Sequence, residues 1–317
     1  MKKLLCLLLC LCCFLLPLSA GCAKRDGEDK LQILCTVFPL YDWVKNIVGE
    51  SGTVEVSLLI TNGSDLHSYQ PSAEDIVRIS TADLFFYVGG MSDVWVEETL
   101  ETQRSASRID VKMTEIPDIR LREMCIDSTA EHGNHEHGGV DEHLWLSVFN
   151  AKTASAYVTE RLCELDAENA EVYRENAASY VASLDGLDSE YTALVSLAES
   201  PKMLCADRFP FVYLAEDYGI EYICAFEGCS TDANASPETI SRLAAALNEY
   251  ELACIVTTER PKAGLAERVR DASLAKNQTI LSLNSMQSVT QKDVDDGATY
   301  LSIMKQNLET LRRILGV

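Results

Sequence analysis

The sequence predicts an α/β fold of two lobes, each a small, mainly parallel sheet flanked by helices, joined by one long rigid helix. Three observations carry that prediction. From Leu31 onward, strand-like apolar runs alternate with amphipathic helical stretches, the alternation that lays helices on the faces of a parallel sheet. The same alternation resumes after Lys202. Between the two, Asp166 to Ser200 holds no proline, and only Gly186 interrupts good helix formers.

In the first lobe, residues 31–165, the runs LQILCTVF (31–38), VEVSLLI (54–60), DLFFYVG (83–89) and SRIDVKM (107–113) read as strands. Helices are expected over PLYDWVKNIVG, from Ser72, and again up to about Gln103, with Ser72 and Asp75 as an N-terminal capping pair. In the linker, residues 166–200, the residues Tyr173, Ala177, Tyr180, Leu184, Leu187, Tyr191 and Leu194 recur at alternating spacings of four and three. That is one apolar seam along one helix, on the order of 45 Å long at ~1.5 Å per residue. Pro201 stops it. In the second lobe, residues 201–317, KMLCA, IEYICAF, ELACIVTT and TILSLN are strands, with helices near 209–218, 237–250, 261–276 and 298–315. Ser236 followed by Pro237 marks a helix start.

The N-terminus reads as a secretory signal over residues 1–21, with Lys2 and Lys3 before an apolar run from Leu4 to Leu16 that is too short to span a membrane stably. LSAGC, ending at Cys22, resembles the lipobox of bacterial lipoproteins, so Cys22 is expected to carry lipid. Residues 22–30 then form a polar tether. The expected location is the outer face of the cytoplasmic membrane. Once the signal and anchor are set aside, seven cysteines remain, an odd number without paired spacing that does not read as a disulfide framework. A Cys224–Cys229 bridge stays open. The mature chain sets 25 basic residues against 49 acidic ones, which argues against nucleic acid or an anionic lipid surface as partner and favours cations. A monomer is expected.

Histidine is scarce and unevenly placed. Of five in the chain, His132, His135, His137 and His143 crowd into EHGNHEHGGVDEHLW, and the fifth is His67 in SDLHSYQP. Neutral imidazole is a favoured donor for zinc and its neighbours in the transition series. His67, Asp207 and Glu259 each fall in a loop beyond the carboxyl end of an expected strand, where open α/β sheets bind ligands. His143 can approach the same place from between the lobes. Two imidazoles with one or two carboxylates would cage a divalent transition metal.

DLHSYQPSAEDI around His67 and DEHLWLSVFNAKTAS around His143 resemble the two histidine motifs of the cluster A-I solute-binding proteins, lipoproteins that serve ABC importers of zinc and manganese. The resemblance covers nearly the whole mature chain, including YLAEDYGIEY and the ending YLSIMKQNLETLRRIL. It implies two lobes on a rigid helix, one metal in the cleft, and transfer to a membrane permease. It further implies His67 and His143 as the first two ligands and Glu259, in TTERPK, as the last acidic one. The third position departs from the pattern. Counting back from Tyr213 puts Arg208 there, and a guanidinium cannot ligate a metal. Asp207 either swings in as a ligand, or Arg208 pairs with Glu259 or with Asp207, the latter then a carboxylate held behind the site, and water completes the shell. The loop of residues 131–139, with His132, His135 and His137, reads as a flexible gatherer of zinc. Imidazole donors put zinc ahead of manganese and iron.

Two other classes compete. A secreted zinc-dependent hydrolase would want a general base beside an open metal position, and the chain has no HExxH, GxSxG or P-loop motif. An adhesin would leave both histidine motifs incidental. A binding protein, not an enzyme, accounts for both.

Overall fold

The computed structural model describes residues 30–64, 66–102, 105, 107–123, 139–226, 235–261 and 264–317. Strands β1 (Leu31–Cys35), β2 (Val54–Leu58), β3 (Leu84–Tyr87) and β4 (Ile109–Lys112) form one sheet in the order β2-β1-β3-β4. Strands β5 (Lys202–Arg208), β6 (Glu221–Phe226), β7 (Cys254–Thr257) and β8 (Thr279–Ser282) form a second, in the order β6-β5-β7-β8. Every pairing in both is parallel. The strand order is the same in each sheet, and it reverses direction between β1 and β3 and between β5 and β7. Such switch points open a crevice beyond the carboxyl ends of the strands. All of β3 and all of β7 are buried, as sheets covered on both faces require.

The helices are α1 (Phe38–Val48), α2 (Ala73–Thr81), α3 (Val94–Thr102), α4 (Val148–Leu165), α5 (Ala170–Val195), α6 (Val212–Tyr218), α7 (Pro237–Glu249), α8 (Leu265–Ala272), α9 (Gln291–Asp295) and α10 (Tyr300–Leu315). Local chemistry sets their starts. Ser72 and Asp75 make a full capping box on α2, and Ser236 accepts from Thr239 N at the start of α7. Two helices come as additions to the sequence pattern. The buried face of α4 carries Asn150, Ser155 and Thr159 among small apolar residues, which blurs its period, and α9 is a single turn of five residues.

Helix α5 is 26 residues long, about 39 Å at 1.5 Å per residue. It is shorter than the stretch without proline. Asp166–Asn169 leave the helix for a turn in which Asp166 accepts from Tyr173 Oη at 2.6 Å, and the chain turns again between Ser196 and Pro201. All seven residues of the apolar seam are buried. They pack against α1 and α4 on one side and α6 and α10 on the other, so the helix touches elements of both lobes. Asp42 of α1 fastens the junction, accepting from Tyr180 Oη of α5 at 3.3 Å and from Tyr300 N of α10 at 3.1 Å. Burial pushes the Asp42 carboxyl up to about 6 despite those hydrogen bonds. Residues 31–317 form one compact body. Among the described residues, no helix is long and apolar enough to cross a membrane.

Candidate metal centre

A small cavity opens where the crevices of the two sheets face each other. It holds about 50 Å³ and is lined by His67 and His143 from the first lobe and by Arg208, Glu259 and Gln287 from the second. His67 sits in a one-turn helix, Leu66–Ser68, that follows β2. His143 immediately precedes another, Leu144–Leu146, which leads through Ser147 into α4. Arg208 ends β5 and Glu259 lies two residues past β7, on either side of the second sheet's switch point.

The two imidazoles meet. Their ring centroids are 5.5 Å apart and their planes cross at 63°. Rings that share a tetrahedral ion through nitrogens ~2.0–2.1 Å away stand roughly 5 Å apart, so the pair has the spacing such sharing needs. Each ring is also held from behind. His143 Nδ1 lies 2.9 Å from Asp141 Oδ1, which also accepts from His143 N. Burial alone would raise the Asp141 carboxyl, but His143 opposes it by charge and hydrogen bonding and holds it below its ordinary value. Tyr213 Oη, from the second lobe, donates to Asp141 O at 2.8 Å and fixes this strand of chain. Behind His67 stand Ser92, in hydrogen-bond contact with Nδ1, and Glu142, whose Oε2 is 3.7 Å from the same atom. Burial raises the Glu142 carboxyl, against the pull of hydrogen bonds from Ser92. Gly90 makes room for it, because a Cβ there would come within 2.7 Å of the Glu142 side chain at a backbone φ of +137°. With Nδ1 engaged in both rings, Nε2 is the nitrogen each offers a cation, and carboxylates placed this way orient metal-binding histidines.

The second lobe's groups are differently engaged. Glu259 Oε2 accepts from Ser285 N at 2.9 Å, and Oε1 accepts from the hydroxyls of Ser285 and Ser288. Asp207 is not among the residues lining the cavity. It is buried, accepting from Thr258 N, Thr258 Oγ1 and Arg208 N, which ties β5 to the end of β7. Arg208, expected to pair with Glu259 or Asp207 where Asp207 is not itself a ligand, lines the cavity itself. Among the described residues, no three His, Cys, Asp or Glu side chains converge as one metal cage. His132, His135, His137, Cys22 and the Cys224–Cys229 pair's second cysteine lie outside the described residues.

Three hydrogen bonds onto backbone oxygens link the lobes near the cavity. Arg260 Nη1 donates to Gly63 O at 2.7 Å, Gln291 N to Thr61 O at 2.9 Å, and Trp145 Nε1 to Ser285 O at 2.9 Å. Several of these residues left a signal that went unused. Asp141 and Glu142 adjoin His143 in DEH, and Arg260 follows Glu259. Ser92 and Gln287 left none, since only the fold brings them to the histidines.

The chain matches, over residues 33–314, the model of the zinc-uptake complex component A family, ZnuA, described as periplasmic. It belongs to that family. Among its relatives, the zinc-binding lipoprotein AdcA of Streptococcus pneumoniae is 31% identical over 99% of this chain and 61% of its own length. The chain thus spans about three fifths of that protein. The high-affinity zinc uptake system protein ZnuA of Bacillus subtilis is 29% identical over 95% of this chain and 94% of its own. The crystal structure of the Zn(II)-bound ZnuA-like domain of S. pneumoniae AdcA superposes with a TM-score of 0.73 at 28% identity, covering 91% of this chain and all of that one. The two-lobe architecture expected from the strand–helix alternation is therefore that of a solute-binding family, not of an enzyme family.

Proposed function

We propose that this chain captures zinc outside the cytoplasmic membrane and delivers it to an ABC permease, acting as a monomer and without catalysis. The observation that carries the reading is the His67–His143 pair, 5.5 Å apart in a cavity between two lobes, each ring backed by a buried acid. Family membership and the zinc-binding names of the relatives support it. In this reading His67 and His143 are ligands and Glu259 is the protein's acidic donor, after trading one serine contact for the ion. Asp207 would have to give up Thr258 to reach a cation, so its role is to hold the β5 and β7 ends in place. Nitrogen donors favour zinc over manganese or iron, which harder oxygen cages suit better. Cys22 in LSAGC would carry the lipid that keeps the protein at the membrane, and residues 22–30 the tether.

Native mass spectrometry of the metal-free chain offered equal zinc and manganese tests this. One zinc per chain, displacing manganese, is expected. Retention of stoichiometric zinc by a His67→Ala, His143→Ala double variant would overturn it.

A further inference from the structure

The turn that holds Glu259 is strained. Residues 284–287 follow β8 as Glu259 follows β7, so two neighbouring strands deliver the carboxylate and its partners to the same place. Ser285 meets the carboxylate twice, through its N–H to Oε2 at 2.9 Å and its hydroxyl to Oε1 at 2.8 Å. The next residue, Met286, stands at φ +63°. That left-handed conformation is unfavourable for any residue with a Cβ, and it persists only where the surroundings over-determine it. They do so here. Asn284 Oδ1 accepts from Met286 N, and Asn307 of α10 grips both backbone groups of Asn284, N–H and carbonyl, at 2.8 Å each.

A further hold comes from the other lobe. Trp145 Nε1 donates to Ser285 O at 2.9 Å. The indole is fully buried, and Tyr300 Oη of α10 donates to the Trp145 carbonyl at 2.7 Å, which fixes the residue from behind. Its ring also meets His143 edge-on, with centroids 5.5 Å apart. One side chain therefore packs on a histidine of the first wall and hydrogen-bonds the residue that seats the acid of the second. The fold does not give every tryptophan such a partner, since Nε1 of Trp43 and of Trp95 is buried without one. Without the indole donor, Ser285 O is left buried and unpaired. The turn escapes that state by moving, and Glu259 moves with it.

We infer that Trp145 is a positioning residue for Glu259: its indole N–H fixes the strained turn 284–287, and the turn aims the carboxylate at an ion held by His67 and His143. This rests on the zinc-binding reading above, and adds that the aim of the acidic donor is set from the first lobe. Packing on His143 and hydrogen bonding to Ser285 are separable, because Trp145→Phe keeps an aromatic ring against the imidazole and loses only the donor.

The test is a double-mutant cycle on zinc affinity, read by chelator competition, with Trp145→Phe, Glu259→Gln and the two combined. Trp145→Phe should weaken zinc about three- to tenfold, the range of one net hydrogen bond. On the Glu259→Gln background the same change should weaken it less than about twofold. The visible spectrum of Co²⁺-loaded Trp145→Phe should shift toward that of Glu259→Gln, which a general loss of stability would not produce. An equal loss on both backgrounds, or none on either, overturns the inference and leaves zinc binding standing. Absence of zinc binding in the unsubstituted protein would instead remove the zinc reading itself. A second arm leaves Trp145 in place. With zinc saturating, exchange of the Trp145 indole N–H with deuterium, followed by ¹⁵N NMR, should be slower in the unsubstituted protein than in Glu259→Gln, because a ligated Glu259 clamps the Ser285 turn. Equal exchange in the two also overturns the inference.

Discussion

The two walls of the cavity are built on opposite plans. The first lobe presents two histidines whose second nitrogens are already engaged, by Asp141 in one case and by Ser92 with Glu142 nearby in the other. The second lobe's acids are engaged within their own lobe, Glu259, on the cavity, with Ser285 and Ser288, and Asp207, off the cavity in β5, with Thr258. A preset wall gives affinity without rearrangement, because ring orientation is fixed before the ion arrives. An inward-turned wall can change partners, so it is the side able to respond to loading. Capture is thus assigned to the first lobe and closure to the second. Removing either imidazole is expected to have the largest effect, cutting zinc affinity by about 100-fold or more. Competition against a chromophoric chelator measures it, and similar losses for His67→Ala and Glu259→Gln would erase the contrast between the walls.

The next largest effect separates the two backing acids. Asp141→Asn and Glu142→Gln should each weaken zinc by roughly 10–100-fold, the range typical of groups that orient a ligand, with Asp141 the costlier. Their pH signatures have opposite signs. Asp141 is held below its ordinary value, so its contribution to folding is present at neutral pH and is lost as pH falls through that lowered value. Glu142 is raised, so the fold keeps its proton longer than the unfolded chain does, and stability is withdrawn as pH rises through the raised value. Melting curves of the metal-free protein across the acidic range should therefore lose the low-pH decline in Asp141→Asn, and lose the opposite slope at higher pH in Glu142→Gln. Parallel curves for the two variants would mean the acids are interchangeable.

The lobes and the linking seam were legible because both rest on periodicity. Tyr173, Ala177, Tyr180 and Leu184 are spaced for one helix face, and that face is buried. The meeting of His67 and His143 was legible because histidine is scarce and each sits in a distinctive local pattern. What stayed hidden depends on contacts between residues far apart in the chain. Ser92 reaches His67 because β3 lies beside β1, and nothing in a serine's neighbourhood announces that. The surroundings of Asp207 stayed hidden for a related reason. Its position just past an expected strand suggested a loop, whereas β5 continues to Arg208 and buries the carboxylate against Thr258. Two further residues of strand take Asp207 out of the expected loop and bring its carboxylate against the end of β7.

Closure should depend on the Arg260 contact more than on any other rim group. The guanidinium spans from the second lobe to Gly63 O, and Gly63 sits at φ +68° with no room for a Cβ, which would meet Arg260 Nη2 at 2.6 Å. Arg260→Ala and Gly63→Ala should both speed zinc dissociation, by about tenfold at most, since the net worth of one hydrogen bond made by an exposed side chain is ~0.5–1.5 kcal/mol and tenfold is about 1.4 kcal/mol. Stopped-flow release into excess chelator checks this. If loading instead slows with release unchanged, Arg260 guides entry and the second lobe is not the closing wall.

Deleting residues 131–139 should have the smallest effect on the site itself. On either side of residues 124–138, Glu123 and Val140 pair as an isolated antiparallel bridge. If His132, His135 and His137 only gather zinc for the first lobe, equilibrium affinity stays within about twofold while the rate of loading from a scarce, buffered supply falls. The deletion measures how far the preset wall is sufficient alone. A loss of affinity as large as that of His143→Ala would place a loop histidine on the bound ion and give the first lobe three nitrogen donors in place of two.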